Sequence, residues 1–229
     1  KNRGYRIMTT PDVITAEEIS SRLHTNWMAE NCIYLESVDS TNNYAKRIAE
    51  DGTPSGTLVV ADEQTGGKGR RGRSWSTPKG SNIAMTLLLR PRFRPEHASR
   101  MTLLAAMAVT CGIRRVTGLD AGIKWPNDIV VDGKKVCGIL TEMSMEQAYI
   151  HHIVIGVGIN VRRQEFPEEI RDRAAAIEEQ SGFRISRSQL IADIMEAFEE
   201  DYEIFLQTHD LKGLRDSYAK LLVNRDREV

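Results

Sequence analysis

Cysteine is scarce: the 229 residues hold only Cys32, Cys111 and Cys137. They are odd in number, far apart and form no C-x-x-C pair, which excludes a disulfide framework and gives no zinc-ligand spacing. Long apolar runs are also missing. The run MTLLAAMAVTCGI, which starts at Met101, stops at Arg114, short of the roughly 20 residues that cross a bilayer. Neither sign of charge dominates, since 31 Lys and Arg against 32 Asp and Glu leave a net charge of -1, which argues against a generally basic nucleic-acid binder. With 41% hydrophobic and 28% charged residues, the composition is not that of a disordered chain. The expectation is a globular, soluble protein of a reducing cytoplasm, without signal peptide or membrane partner, long enough to bury one sizeable core.

The pattern along the chain predicts alternating elements. TAEEISSRLH reads as a short helix, and TNNYAKRIAEDG as a second one capped by Asp39 or Ser40 and stopped at Gly52. GTLVVADEQ has the β-branched content of a strand, and NIAMTLLLRP is a largely apolar strand stopped by Pro91. Residues 95–117 read as an apolar helix opened by Pro95 and ended near Gly118. IKWPNDIVV and KVCGILTEM form a hairpin about Asp132-Gly133, AYIHHIVIGVGINV follows as a strand, and helices over about 186–206 and 210–222 close the chain. The order predicts an α+β domain, a mixed sheet covered by helices.

Three stretches carry chemistry. GGKGRRGRSW places Lys68, Arg70, Arg71 and Arg73 among glycines. Glycines let a backbone approach a ligand, and guanidinium forks match phosphate or carboxylate, so the stretch reads either as an anion-gripping loop or as a solvated turn. It is not a Walker A loop, because Gly69 follows Lys68 where Ser or Thr belongs. In KWPND, Pro126 favours an extended Trp125, so Lys124 is presented from a strand, either as a partly desolvated functional lysine or as an edge-strand charge. In IGVGIN, Gly156 and Gly158 mark either a close approach by a flat ligand or a bulge, and Asn160 could read a base edge. His151 and His152, adjacent on a strand, are expected to point to opposite faces and to be structural.

Taken together, ESVDSTNNYA, EQTGGKGRRGRSW, IKWPNDIVVDGKKVCGIL and VIGVGINV resemble biotin protein ligases in content, order and spacing over about residues 11–225. The resemblance implies a catalytic domain similar to class II aminoacyl-tRNA synthetases. It also implies an enzyme that adenylates biotin with ATP and Mg²⁺, then passes biotin to a lysine of a biotin carboxyl carrier protein. By motif, Ser40, Thr41, Asn42 and Gln64 match the segment that binds the biotin ureido ring. Gly67, Lys68, Gly69, Arg70, Arg71 and Arg73, with Trp75 beyond, match the loop that binds biotin and closes on the adenylate. Lys124 matches the catalytic lysine, with Arg70 assisting, and Asn127, Gly138, Gly156, Gly158 and Asn160 match positions lining the biotin and adenine pockets. Lys68 stands where the family commonly has Arg, which keeps charge but loses the two-pronged geometry. The metal is expected to come with ATP and not from protein side chains.

The same resemblance divides the chain into an N-terminal segment over 1–30, a catalytic domain over 31–217, and the first strand of an SH3-like domain over 218–229. KNRGYRIM resembles the exit from a winged helix-turn-helix domain, so DNA is a partner only where such a domain precedes, and a homodimer stays open. The rival readings are a lipoate-type ligase, against which no R-R-x-x-G-G-G-x-V-x-H-D stretch occurs, a biotin-sensing repressor core, and a nucleic-acid module built on KGRRGR.

Overall fold

A computed structural model of the chain describes residues 11–146 and 149–224. In order they form α1 (Ala16–Ser20), β1 (Cys32–Val38), α2 (Thr41–Glu50), β2 (Thr57–Gln64), β3 (Ile83–Leu89), α3 (Arg100–Thr117), β4 (Gly122–Lys124), β5 (Asp128–Val131), β6 (Lys134–Glu146), β7 (Tyr149–Ile159), α4 (Ile177–Ser181), α5 (Arg187–Thr208) and α6 (Arg215–Leu221). The strands make one sheet in the order β1-β2-β3-β7-β6-β5-β4. Only β1 and β2 run parallel, joined by the α2 crossover, while the other pairs are antiparallel. The α+β mixed sheet expected from the sequence is what forms.

All seven residues of β3 are buried because both sheet faces are covered. The period of two divides the central strands: Leu58, Leu87, Leu89, Ile153 and Ile155 enter the main core with α3 and α5, and Val59, Leu88 and Val154 face Ala45 and Ala49 of α2. Phe198 and Phe205 of α5 are fully buried, so one face of this helix is a core element. Asp12 anchors the first described residues. Its carboxylate accepts from Arg187 Nε at 2.7 Å and pairs with Arg162, and Arg187 reaches on to Asp62 at 3.0 Å.

Several local features depart from the sequence pattern. Pro95–His97 form a 3-10 turn, and α3 begins only at Arg100. IKWPNDIVV is not one strand, because a cis Trp125-Pro126 bond separates β4 from β5. Strand β1 lies at the sheet edge, so its residues are half-buried or exposed and show no alternation to read. Short α4 was not foreseen either. Tyr218–Leu221 are helical, so a strand does not begin at 218, although Leu222 makes a parallel bridge to Ile123. The remainder of that stretch, 225–229, and KNRGYRIM lie outside the described residues. His151 and His152 do not point apart. Ser144 pairs with His152 and Met145 with Ile150, so His151 is an extra bulge residue, and the two Nδ1 atoms lie 3.1 Å apart.

Candidate active site

The turn from β1 into α2 presents Ser40, Thr41 and Asn42, all buried. Ser40 is the N-cap by position, yet its side chain makes no capping bond, which leaves its hydroxyl facing the cavity free of that duty. Asp39 braces the turn instead. Hydrogen bonds from Asn43 and Arg47 hold its carboxyl down at about 2, and its carbonyl accepts from Gly66 N at 2.8 Å.

Beneath this turn lies a connected polar network. Gln64 Oε1 accepts from Thr41 N at 2.9 Å and from Thr41 Oγ1 at 3.0 Å. Thr86 Oγ1 lies 2.7 Å from Asn42 Oδ1, and Asn42 Nδ2 donates to Glu142 Oε2 at 2.8 Å and Leu140 O at 3.2 Å. Burial raises the Glu142 pKa, but hydrogen bonds from Lys46 and Asn42 and the charges of Lys46 and Lys68 outweigh it, so its carboxyl titrates below the ordinary range. Such a network fixes the orientation of each amide.

The cationic loop folds over the cavity. Lys68 bridges to Ser74, Gly69 N donates to Arg73 O at 2.7 Å, and Arg70–Gly72 form a tight turn with Arg71 at φ 57°. Lys68 Nζ donates to Asn43 Oδ1 at 3.0 Å on α2, and Arg70 Nη1 to Asn127 Oδ1 at 2.7 Å in the β4–β5 turn. Trp75 turns inward against the glycines of β6 and β7. A Cβ at position 158 would lie 2.4 Å from its indole, and one at 156 would lie 2.2 Å from Asn42 Oδ1. Both glycines therefore mark close approach by side chains of the site itself. Trp75 Nε1 is buried and has no hydrogen-bond partner among the described residues, a donor left for an incoming acceptor.

Together these residues enclose a cavity of about 50 Å³. Its wall gathers Ser40, Thr41, Asn42, Gln64, Lys68, Gly69, Arg70, Trp75, Asn127, Gly138, Gly156 and Gly158, brought from five separate segments of the chain. Five expected residues are not in the wall. Gly67 is buried beneath Trp75, whose N donates to Gly67 O at 2.9 Å, and Arg71 and Arg73 are exposed on the outside of the loop. Asn160 is buried, with Nδ2 donating to Ala175 O at 3.3 Å. Lys124 ends the edge strand β4 opposite Asp128, exposed beside a 57% exposed Trp125, so of its two readings the edge-strand charge holds and partial desolvation does not occur.

The structure adds Lys135, Met85, Ile139, Leu140 and Val157 to the wall. Lys135 Nζ sits 5.6 Å from the Trp75 ring centroid and 2.7 Å from Asp128 Oδ1. The Lys134-Lys135 doublet beside the hairpin turn was a signal for it, but which lysine faced inward depended on the register shift between Ile129 and Val130. Cys137, next to Gly138, is no nucleophile, since burial pushes its thiol pKa up. The site as a whole is a cationic, glycine-walled pocket suited to a small anion plus a flat ring.

A model of the biotin/lipoate A/B protein ligase family matches residues 34–160, more than half of the chain. The chain belongs to this family. Among its relatives is the bifunctional ligase/repressor BirA of Bacillus spizizenii, 41% identical over 224 residues, which are 96% of this chain and 69% of that protein. The biotin--[acetyl-CoA-carboxylase] ligase of Paracoccus denitrificans is 40% identical over 129 residues, 56% of this chain and 53% of that one. The solved structure of the biotin protein ligase from Aquifex aeolicus in complex with biotin and ATP superposes with a TM-score of 0.73 at 30% identity, covering 85% of this chain and 79% of that one. The family resemblance and the biotin protein ligase fold expected from the sequence are both found. Among the described residues no helix is long and apolar enough to cross a membrane.

Proposed function

We propose that this chain is a biotin protein ligase that makes biotinyl-5'-AMP from biotin and ATP and then biotinylates one lysine of a biotin carboxyl carrier protein. The observation that carries the reading is the convergence of Ser40-Thr41-Asn42, the Lys68–Arg70 loop and the Gly156 and Gly158 strand on one cavity. Relatives of the chain include ligases of biotin, which supports the reading.

In the first step a biotin carboxylate oxygen attacks the α-phosphorus of ATP, a new P–O bond forms, and the bond to the β-phosphate oxygen breaks to release pyrophosphate. Two unit negative charges about 4 Å apart repel by about 4 kcal/mol at an effective dielectric near 20. Cations must offset this, and Lys68, Arg70 and Lys135 stand at the wall, with Lys124 one strand away across from Asp128. Lys124 is assigned the bridge between carboxylate and α-phosphate, its side chain swinging inward once anions fill the cavity. The carboxylates nearest the wall, Asp128 and Glu142, are each paired with a lysine. Magnesium would therefore be held by the phosphates and would screen the leaving pyrophosphate.

The ureido ring of biotin fits the donors and acceptors at Ser40, Thr41 and Asn42. At about 50 Å³ the cavity as it stands has room for only a few waters, so the loop is assigned to lift as both substrates enter and then to settle over the product. Sealing protects the mixed anhydride from hydrolysis. In the second step the carrier lysine's neutral amine attacks the acyl carbon, AMP leaves, and the amine proton is lost to form the amide. The ATP requirement suits a cytoplasmic setting.

Biotin-dependent exchange of labelled pyrophosphate into ATP tests this, with lipoate as the competing acid. Exchange with biotin alone is expected, and exchange with lipoate alone would replace the reading by a lipoate-type ligase.

A further inference from the structure

We propose that Glu50, His151 and His152 form a divalent metal site, at the far end of α2 from the ligand cavity and specific for a zinc-like ion. The β7 bulge at His151 turns two adjacent imidazoles to one side, with their Nδ1 atoms 3.1 Å apart. Glu50, in the last turn of α2, places Oε1 3.7 Å from His151 Nδ1 and 3.8 Å from His152 Nδ1. A tetrahedral ion with bonds near 2.0–2.1 Å needs its ligand atoms about 3.3 Å apart, so these three atoms need only close by a few tenths of an ångström about a common centre.

Hydrogen bonding within the cluster does not complete it. At 3.1 Å the two Nδ1 atoms can share one proton at most, which a bound ion would displace. The two Nδ1 atoms and Glu50 Oε1 all lie within 3.8 Å of one another, which brings three ligand atoms of the right kind to one place. The cluster is open to solvent on one side, since the side chain of His151 is 39% exposed and that of Glu50 65%. An ion can enter there and keep water as its fourth ligand.

The donor set selects the ion. Two imidazoles and a single carboxylate suit Zn²⁺, Cu²⁺ or Ni²⁺, whereas Mg²⁺ demands an oxygen shell that this site lacks. The site is therefore distinct from any magnesium accompanying ATP. Two cations oppose it, Arg90 and Lys46, but both are engaged. Arg90 donates to Thr53 O at 2.8 Å, to His151 O at 3.2 Å and to Ala49 O, and Lys46 pairs with Glu142 at 2.8 Å. With one anion among the ligands and these charges nearby, the affinity is that of an exchangeable ion and not of a permanently held one. Helix α2 has ten residues, about 15 Å of helix at 1.5 Å per residue. A bound ion would thus tie to β7 the end of α2 opposite Ser40, Thr41 and Asn42.

The test is titration of the metal-stripped 229-residue chain with Co²⁺ alone, without biotin or nucleotide, followed by visible absorption and by competition with Zn²⁺. One equivalent is expected to bind with the intense bands of a four-coordinate nitrogen and oxygen site, and Zn²⁺ should displace it and raise the melting temperature. His151→Ala should abolish the bands, and Glu50→Gln should weaken binding by about tenfold or more. Both positions reach solvent, and unchanged melting of the metal-free variants verifies their fold. Absence of saturable binding by the unaltered chain would overturn the proposal, as would the same stoichiometry and spectrum in His151→Ala, or thiolate charge-transfer bands pointing to a cysteine site. Pyrophosphate exchange with Mg-ATP, by the chain stripped of transition metal, is expected to proceed in every case, so the ligase reading and the metal site fail separately.

Discussion

Arg70 and Asn127 meet across the mouth of the cavity, the guanidinium Nη1 donating to the amide Oδ1 at 2.7 Å. Asn127 is itself held by donating Nδ2 to Ile139 O at 3.0 Å, so the loop is latched to a fixed point of the sheet. An exposed bond of this kind contributes about 1 kcal/mol, weak enough to open at each turnover.

Arg70→Gly is expected to keep adenylation within about tenfold of the unaltered chain while releasing adenylate faster, since the seal depends on the latch more than the attack geometry does. Filter assay of retained nucleotide checks it. Adenylate release no faster than from the unaltered chain would remove the sealing role.

Lys124→Ala should lower adenylation by about a thousandfold, the range seen when one preorganised charge is lost from a transition state. Pyrophosphate release measured at saturating biotin and ATP reads this, and near-normal release would pass the role to a lysine already in the wall, Lys135.

Gly156→Ala would set a Cβ 2.2 Å from Asn42 Oδ1. The amide must then leave Thr86 and Glu142, at an expected cost of about 1–3 kcal/mol in stability. Because Asn42 faces the cavity, KM for biotin should rise by about tenfold or more while KM for ATP changes little. Equal effects on both substrates would show that the residue shapes the whole cavity.

Asp201 on α5 carries a carboxyl pushed up to about 6 from 3.8, by burial first and then by Glu200, with Arg115 opposing. The native state holds this proton more tightly than the unfolded chain, so ionisation costs stability increasingly as pH rises from 3.8 towards 6 and fully above it. Asp201→Asn should therefore stabilise by about 1 kcal/mol near neutral pH, a figure reduced for solvent screening of a partly exposed group. The gain should vanish below the unfolded value, and thermal melts at both pH values measure it.

The central strands, α2 and α3 were legible because burial on a definite face imposes a period, and the turn at Asp132-Gly133 because its backbone takes positive φ. The site was legible where a residue's type alone limits its use, as in the glycines of β7. Their partners were not, since Trp75 and Asn42 come from distant segments that only the sheet order brings together. Of the two readings left open for Lys124, the edge-strand charge is the one found, because β4 ends the sheet and the apolar neighbour Trp125 itself faces solvent. The histidine pair was misread because a bulge depends on register with β6, which no local pattern reports.

The most direct test is mass spectrometry of the small molecule retained by the purified chain after incubation with biotin and Mg-ATP, with released pyrophosphate measured in the same sample. Biotinyl-5'-AMP held on the protein, with pyrophosphate in matching amount, is the predicted result. A folded chain that binds biotin yet yields neither pyrophosphate nor adenylate would contradict the account.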